Sequence, residues 1–183
     1  MNKKTIPLGE ATRIINHGPC VLISAADNER DNLFTVAWNM PLKKSPALVA
    51  FESATSHFTF PLIEHSGEFC ISVPTAAIAE QVLKAGRVSG AAIPDKFAAA
   101  GLTREPSEKI RAPRVAEAAA HLECRVQKIT VFEGSALIIG EVLCAAADES
   151  SFSNGTWQFD NGLRLLHHLG GSAFCVSEKK ILL

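Results

Sequence analysis

Two long β-prone segments separated by a short polar turn constrain the fold of this chain more than any other feature. Residues 121–132 and 136–147 are rich in Val, Ile, Leu and other apolar residues, and Glu133, Gly134 and Ser135 between them have turn chemistry. We therefore predict one long antiparallel hairpin. In a chain of this size, long antiparallel strands tend to close into a barrel, because closure removes unpaired sheet edges.

The other predicted elements are short. Runs of β-branched and aromatic residues bounded by Gly, Pro, Asn or Ser predict strands at residues 21–25, 34–39, 47–52 and 68–73. Helical apolar patterns are confined to residues 60–65, 78–84 and 95–100. The regular strand–helix alternation of a parallel sheet is absent from this pattern. The predicted fold class is therefore mainly β with short helices.

Length and charge restrict the domain count and the partners. A chain of 183 residues that is 47% hydrophobic can bury one sizeable core, which predicts a single domain over residues 1–183. A net charge of -1 gives no electrostatic reason for binding to nucleic acid or to an anionic membrane surface. Lys3 and Lys4 are not followed by an apolar leader, and the apolar residues 135–147 are too few for a transmembrane helix. We expect a cytoplasmic protein.

The cysteines do not form a metal or disulfide motif. They are far apart in the sequence, with no C-x-x-C pair, at Cys20, Cys70, Cys124, Cys144 and Cys175. Scattered thiols in an odd number fit a reducing compartment, where free cysteine acts as a small hydrophobic residue.

The segment from Ser53 to Thr59 is a candidate phosphate site. It follows a predicted strand, leads into a predicted helix, and carries four hydroxyl side chains together with His57. Hydroxyls, backbone N–H groups and the positive end of a helix dipole are the donors that a phosphate requires, and a protonated His57 would add a charge-assisted bond. The alternative is ordinary helix capping by Ser or Thr.

A second candidate surface lies on the predicted strand at residues 34–39. Thr35 and Ala37 place small side chains on one face, and Trp38 lies near its end. Small side chains let a planar ring approach the strand, whose backbone groups can then pair with the polar edge of the ring. Taken alone, these residues also fit an ordinary strand.

Residues 84–114 form a basic segment. It contains seven basic and three acidic residues, a local excess of four positive charges. The segment is either a solvated loop or the rim of a site for an anionic ligand such as a nucleotide. Within it, Ser89-Gly90 precedes Asp95-Lys96-Phe97, and Lys96 can act on a phosphate as a point charge. Further along the chain, Gly170 and Gly171 follow His168 and allow close backbone approach.

Taken in order, these stretches resemble the flavin reductase-like family that includes the flavoredoxins. The matching pattern runs Asn32-x-x-Thr35-x-Ala37-Trp38, then Ser53 with Thr59, then Ser89-Gly90 ahead of Asp95-Lys96-Phe97, then His168-x-Gly170-Gly171. The resemblance implies an FMN-binding split β-barrel of Greek-key type. It also implies a homodimer with the flavin near the subunit interface, and reduction of flavin by NADH or NADPH in many members.

The resemblance also implies roles for individual residues. Those that would line the flavin ring and ribityl chain are Thr35, Val36, Ala37, Trp38 and Asn39. Those that would hold the phosphate or close over it are Ser53, Ser56, His57, Thr59, Ser89, Gly90 and Lys96. His168 completes the set of cofactor-binding residues, and no residue is assigned as catalytic or as a metal ligand. Three features depart from the family pattern: His57 stands where Arg is frequent, four residues rather than the usual three separate Gly90 from Asp95 ahead of Lys96, and Phe174 stands where Tyr is expected.

Three functions are compatible with these sequence features. The leading interpretation is an NAD(P)H-dependent flavin reductase, in which the protein supplies position and electrostatics while FMN does the chemistry. A second is a flavoredoxin-like electron carrier, which keeps its FMN and passes electrons to a protein partner. A third is a metal or haem site at His167 and His168, which is disfavoured because adjacent residues of a strand point to opposite faces.

Overall fold

The chain forms thirteen strands and three α-helices in the described part of this computed structural model, residues 7–15 and 17–182. The first half contains β1 (Val21–Ala26), β2 (Asp31–Val36), β3 (Asn39–Lys43), β4 (Leu48–Ala54), α1 (Thr59–Ser66), β5 (Glu68–Val73), α2 (Ala79–Arg87) and α3 (Lys96–Ala100). The second half contains β6 (Arg104–Glu105), β7 (Arg114–Val115), β8 (Ala120–Phe132), β9 (Ser135–Ala147), β10 (Phe152–Ser153), β11 (Thr156–Trp157), β12 (Leu165–Gly170) and β13 (Ala173–Ser177). Short 3-10 helices occupy Leu8–Ile14 and Ala76–Ile78. Residues 1–6, 16 and 183 of the predicted domain lie outside the described ranges.

The predicted hairpin is confirmed and lies at the centre of the sheet. Strands β8 and β9 pair along their length within a seven-stranded antiparallel sheet of order β2-β1-β5-β8-β9-β4-β3. Phe132 pairs with Ser135, so the turn consists of Glu133 and Gly134 alone and Ser135 belongs to the strand. Both turn residues have positive φ, 43° and 87°, as a tight hairpin turn of the I′ type requires.

A two-residue connection brings the opposite edges of this sheet together. The predicted strand at residues 34–39 is wrong at Ala37 and Trp38, because β2 ends at Val36 and β3 begins at Asn39. These two strands are the first and the last in the sheet order. Since three Cα steps span at most about 11 Å, the sheet must curl until its edges meet. The Asn39 amide then donates a hydrogen bond of 2.8 Å to the carbonyl of Pro19.

The curled sheet separates two hydrophobic cores. The interior core contains Phe34, Phe51 and Phe69. On the outer face of β1 and β2, helices α2 and α3 bury a second core around Val82 and Phe97. Strand β1 is therefore buried at all six positions. The connection between α2 and α3 lies beside β2, and this arrangement positions the candidate site.

The predicted helices are confirmed with small changes in their bounds. Helix α1 covers the predicted residues 60–65, α2 begins one residue later than predicted and runs to Arg87, and α3 follows Asp95. The carboxylate of Asp95 accepts a hydrogen bond of 3.0 Å from the N–H of Ala98 and so caps α3. None of the helices in the described ranges has the length and apolarity needed to cross a bilayer.

A buried ion pair anchors the end of the basic segment to the sheet. The Arg114 guanidinium donates to the Glu123 carboxylate at 2.8 Å, and the side chain of Glu123 is only 1% exposed. Backbone N–H groups of Glu108 and Lys109 donate to the same carboxylate at 2.9 and 2.6 Å. Arg104 is likewise engaged with Asp31 at 2.8 Å. Part of the predicted basic surface is therefore neutralised by carboxylates within the fold.

The cysteines are free thiols, three of them buried and without a role in the candidate site. Burial raises the pKa of Cys20 and of Cys70 to about 12, so both thiols stay protonated at neutral pH.

Candidate functional site

A cavity of about 230 Å³ lies between β2, the segment leading into α1, and the connection from α2 to α3. Its lining is formed by Asn32, Phe34, Thr35, Ser56, His57, Phe58, Thr59, Gly86, Arg87, Val88, Ser89, Gly90 and Lys96. Three stretches that are distant in sequence therefore meet at one cavity. We call it the Lys96 cavity.

Gly90 forms part of the wall of the Lys96 cavity, and the side chains of Phe58 and Asn32 pack directly against its backbone. A Cβ atom at this position would lie 2.5 Å from Cδ1 of Phe58 and 2.6 Å from Oδ1 of Asn32. Both distances are too short for any real side chain, so only glycine fits here. The Phe58 ring is held in turn by the Arg30 guanidinium, which lies 4.7 Å from its centroid.

The hydroxyl groups of the predicted phosphate segment have different surroundings. Thr59 is buried, and its Oγ1 accepts a hydrogen bond of 2.7 Å from Asn32 Nδ2. Ser53 is also buried and does not line the cavity, but its Oγ lies 3.3 Å from Nδ1 of His57. His57 and Ser56 are exposed at the cavity, and the His57 ring packs edge-on against Phe34 at 5.5 Å. Ser53 thus positions His57 rather than facing the cavity itself.

Lys96 brings a buried positive charge into the cavity wall. It is 5% exposed, and none of the carboxylates in residues 11–15 and 17–182 forms an ion pair with its ammonium group. Its neighbour Asp95 pairs with Arg104 at 2.9 Å instead. Burial lowers the pKa of Lys96 to about 8, because no anion compensates the lost hydration. A buried cation without a partner favours an anionic ligand at this place.

Two further features add positive potential to the Lys96 cavity. The exposed Arg87 lies in the lining at the end of α2. Helix α1 begins at Thr59, and the first N–H groups of a helix have no partner within the helix. The Oγ of Ser89 is engaged locally, because it accepts a hydrogen bond of 3.2 Å from the N–H of Ala91.

A second cavity of about 210 Å³ adjoins the first and shares Thr35, Gly86 and Arg87 with it. The remaining lining residues are Ala37, Val82, Leu83, His168, Gly171 and Phe174. Thr35 donates a hydrogen bond of 2.6 Å to the carbonyl of Val82, which fixes α2 against β2. The close approach also depends on Gly86, where a Cβ would lie 3.2 Å from Cβ of Thr35. We call this the His168 cavity.

His168 has one ring nitrogen without a partner. Its Nε2 lies 3.2 Å from the carbonyl of Gly171, and its ring packs against Phe174 at 5.2 Å. Its Nδ1 is buried and makes no hydrogen bond within the described chain. The neighbouring His167 has both nitrogens engaged, at 2.8 Å from the carbonyl of His17 and 2.6 Å from Oγ of Ser177. The two imidazoles therefore have separate surroundings.

A third cavity, of about 370 Å³, lies on the outer face of β3, β4 and β9. It is lined by Thr12, Ile15, Gly18, Ala37, Trp38, Asn39, Met40, Ala50, Phe51, Glu52 and Leu137. Ala37 lines this cavity as well as the His168 cavity. We call it the Trp38 cavity.

The structure thus distributes the predicted ring-binding residues over two cavities. Thr35 and Ala37 line the His168 cavity, whereas Trp38 and Asn39 line the Trp38 cavity. The Val36 side chain lies in the interior core, so only its backbone is left for a ligand.

Six residues that line the Lys96 cavity were not among the predicted site residues, namely Asn32, Phe34, Phe58, Gly86, Arg87 and Val88. Asn32 stands in the matching pattern, and a glycine inside a helix such as Gly86 indicates a close packing contact. No local sequence signal distinguishes Phe58 or Arg87.

Comparison with known proteins gives consistent matches. The model of the family described as Flavin reductase like domain matches residues 13–171. The uncharacterized protein YddH of Escherichia coli strain K12 is 39% identical over 181 residues, which cover 96% of this chain and 95% of that protein.

Solved structures match over the whole fold. An FMN-binding domain of a flavin reductases-like enzyme from Shewanella baltica OS155 superposes with a TM-score of 0.82 at 30% identity, covering 100% of this chain and 97% of the other. The flavoredoxin of Desulfovibrio vulgaris (Miyazaki F) superposes with a TM-score of 0.79 at 26% identity, covering 91% and 90%. The predicted split β-barrel fold is confirmed by these matches.

Proposed function

The chain belongs to the family described as Flavin reductase like domain, and from this membership we propose that it binds FMN and acts as an NAD(P)H-dependent flavin reductase. The observation that carries the proposal is the buried Lys96 ammonium, which has no carboxylate partner in the described chain and lines a cavity beside the start of α1. An FMN phosphate supplies the missing negative charge.

The remaining contacts fit the rest of an FMN molecule. The His168 cavity continues from the Lys96 cavity past Thr35, so a ligand with its phosphate at Lys96 can extend into it. Neutral imidazole donates through one nitrogen and accepts through the other. Since Nε2 of His168 faces a carbonyl, the unpartnered Nδ1 is the acceptor, which suits a hydroxyl or N–H group of the ligand. Bound FMN would supply the two-electron chemistry, while these residues bind and orient it.

Steady-state kinetics tests the enzyme proposal. Oxidation of NADH or NADPH is followed with added FMN and oxygen as the final acceptor. We expect turnover that depends on FMN with at least one of the two nucleotides. FMN binding without turnover of either nucleotide would contradict the reductase.

The second candidate is an electron carrier that retains FMN and meets a redox protein partner. The similarity to the Desulfovibrio vulgaris flavoredoxin favours it. A protein that stays yellow through gel filtration and does not oxidise NADH or NADPH would support the carrier over the reductase. A cytoplasmic location and a single domain over residues 1–183 remain predictions.

We predict that Lys96→Gln weakens FMN binding about 10- to 100-fold and leaves riboflavin binding nearly unchanged. A hydrogen bond to a charged group contributes about 1.5–3 kcal/mol, and riboflavin lacks the phosphate. Isothermal titration with both flavins measures the difference, and Lys84→Gln, on an exposed position of α2, is the matched control. Equal losses for the two flavins would remove Lys96 from the phosphate contact.

FMN affinity should also fall as pH rises above about 8. Lys96 is protonated below its pKa of about 8 and neutral above it, and only the protonated form attracts a phosphate dianion. The bound phosphate raises this pKa in turn, so the decline levels off once the lysine of the complex has also lost its proton. Riboflavin, titrated over the same range, should show no such decline. A flat FMN profile from pH 7 to 10 would contradict the assignment.

We further propose a homodimer whose interface includes Leu42 of the edge strand β3. Leu42 is a large apolar side chain that is 44% exposed, and covering it with a second copy of the chain removes apolar surface from water. We expect a dimer by light scattering and a monomer for Leu42→Lys. Leu169→Lys, a change at a similarly exposed leucine of β12, should remain dimeric. A monomeric wild-type protein would contradict the proposal.

A further inference from the structure

The Trp38 cavity has a lining that differs in chemistry from that of the Lys96 cavity. Trp38, Met40 and Leu137 form much of its wall, together with the buried Ala50. The apolar side chains present a surface that water hydrates poorly, so a ligand with apolar faces gains by entering. Its volume of about 370 Å³ lies within the range of small-molecule sites.

The charge in this lining selects against anions. Glu52 is the charged side chain of the lining, and no Lys or Arg of the described residues joins it there. A phosphate or sulfonate in this cavity would lose hydration, gain no positive partner and lie near a carboxylate. The Lys96 cavity instead favours anions, since its lining contains the positively charged side chains of Lys96 and Arg87.

The position of the Trp38 cavity connects it to the proposed flavin site. Ala37 contributes to the walls of both the Trp38 and the His168 cavities. It lies in the two-residue connection between β2 and β3, where the side chain is a single methyl group. A ligand on one side of this connection is therefore close to a ligand on the other side.

We propose that the Trp38 cavity binds an uncharged aromatic electron acceptor of the quinone class. The acceptor's role in turnover rests on the proposed function, but its binding does not. In turnover a quinone gains two electrons and two protons and leaves as the hydroquinone. NADH or NADPH, oxidised in the same cycle, supplies both electrons and one proton equivalent as hydride, and solvent supplies the second proton.

The two tryptophans of the chain make the binding step directly measurable. Trp38 lines the cavity, and Trp157→Phe leaves Trp38 as the emitting tryptophan. The full-length Trp157→Phe chain, with no flavin added, is titrated with 2,3-dimethyl-1,4-naphthoquinone and with 2-methyl-1,4-naphthoquinone-3-sulfonate. Both quinones are substituted at the reactive double bond, which limits addition to the exposed Cys175. We expect saturable quenching by the uncharged quinone and at least 10-fold weaker binding of the sulfonate.

Charge substitutions in the lining test the assignment. Leu137→Lys should weaken binding of the uncharged quinone at least 10-fold and strengthen binding of the sulfonate. Val131→Lys introduces the same charge at an exposed position of the hairpin and should change neither. If Leu137→Lys fails to fold, Glu52→Gln is tested in its place. We then expect the sulfonate to bind more tightly and the uncharged quinone to bind with unchanged affinity.

Several outcomes would overturn the proposal. The first is equal affinity of the Trp157→Phe chain for the two quinones. The second is quenching by the uncharged quinone that does not saturate, and the third is quenching that Leu137→Lys leaves unchanged. A dimer that shows no quenching and that Leu137→Lys converts to a monomer would instead assign the cavity to a second copy of the chain. Loss of FMN binding would contradict the proposed function alone, because these titrations contain no flavin.

Discussion

Replacement of Gly90 by alanine is expected to weaken FMN binding more than any other single methyl group added to the site. The new Cβ would lie 2.5 Å from Cδ1 of Phe58 and 2.6 Å from Oδ1 of Asn32, so the backbone or both side chains must move. Overpacking of this kind typically costs about 1–3 kcal/mol. Because Asn32 also holds Thr59, the displacement reaches the start of α1 and the wall that contains Lys96.

We therefore expect FMN affinity to fall by about 10- to 100-fold in Gly90→Ala, with riboflavin affected as well, since the shape of the cavity changes rather than its charge. Titration calorimetry measures both ligands. Gly18→Ala is the control, because a Cβ at Gly18 meets nothing within 4 Å. An unchanged FMN affinity in Gly90→Ala would place the ligand elsewhere.

The largest effect on stability is expected for Glu123→Gln. The Glu123 carboxylate accepts hydrogen bonds from the Arg114 guanidinium and from the N–H groups of Glu108 and Lys109. Glutamine removes the negative charge and turns an NH₂ group toward at least one donor, which leaves the buried guanidinium without its closest anionic partner. Breaking a buried ion pair costs about 3–5 kcal/mol, and urea unfolding should show a loss of this order.

Glu108→Gln provides the matched control. It contacts the same guanidinium at 3.3 Å, but its side chain is 62% exposed, and exposed pairs contribute at most about 1 kcal/mol. Similar losses for Glu108→Gln and Glu123→Gln would show that burial of the pair does not determine its contribution.

The same carboxylate should give the wild-type protein an acid-sensitive component of stability. Burial alone would raise the pKa of Glu123, but the two N–H donors and the Arg114 guanidinium outweigh it and hold the pKa below its ordinary value of 4.5. A group with a lowered pKa stabilises the fold above the unfolded-state value, and this stability is lost as pH falls through the folded-state value. Glu123→Gln should therefore lose less stability than the wild type between pH 5 and pH 3.

The hairpin was predictable because its signal is local. Both strands are long apolar runs, and Glu133-Gly134 is a turn dipeptide whose second residue readily adopts positive φ. Strand β3 was not predictable in the same way, since Pro41 removes a backbone donor and argues against a strand. It is accommodated because β3 lies at the edge of the sheet.

The candidate site was predictable in its residue types but not in its geometry. The sequence placed several hydroxyls between β4 and α1, yet which of them faces a ligand depends on tertiary contacts. Thr59 is occupied by Asn32, and Ser53 points to His57. The burial of Lys96 likewise depends on how α3 packs against the rest of the fold. The sequence around Lys96 contains no pattern that predicts this burial.

The connection through Ala37 and Trp38 couples ligand release to the mechanics of the barrel. It joins the two outermost strands of the sheet and also forms walls of two cavities. If the seam is defined as the approach of β2 to β3 at this connection, a ligand that contacts both sides of it binds the closed arrangement in preference to the open one. Occupancy at 100 times the dissociation constant then disfavours opening of the seam by about 2.7 kcal/mol. Protection of the backbone amides around this connection against hydrogen exchange should therefore rise with the occupancy of the ligand.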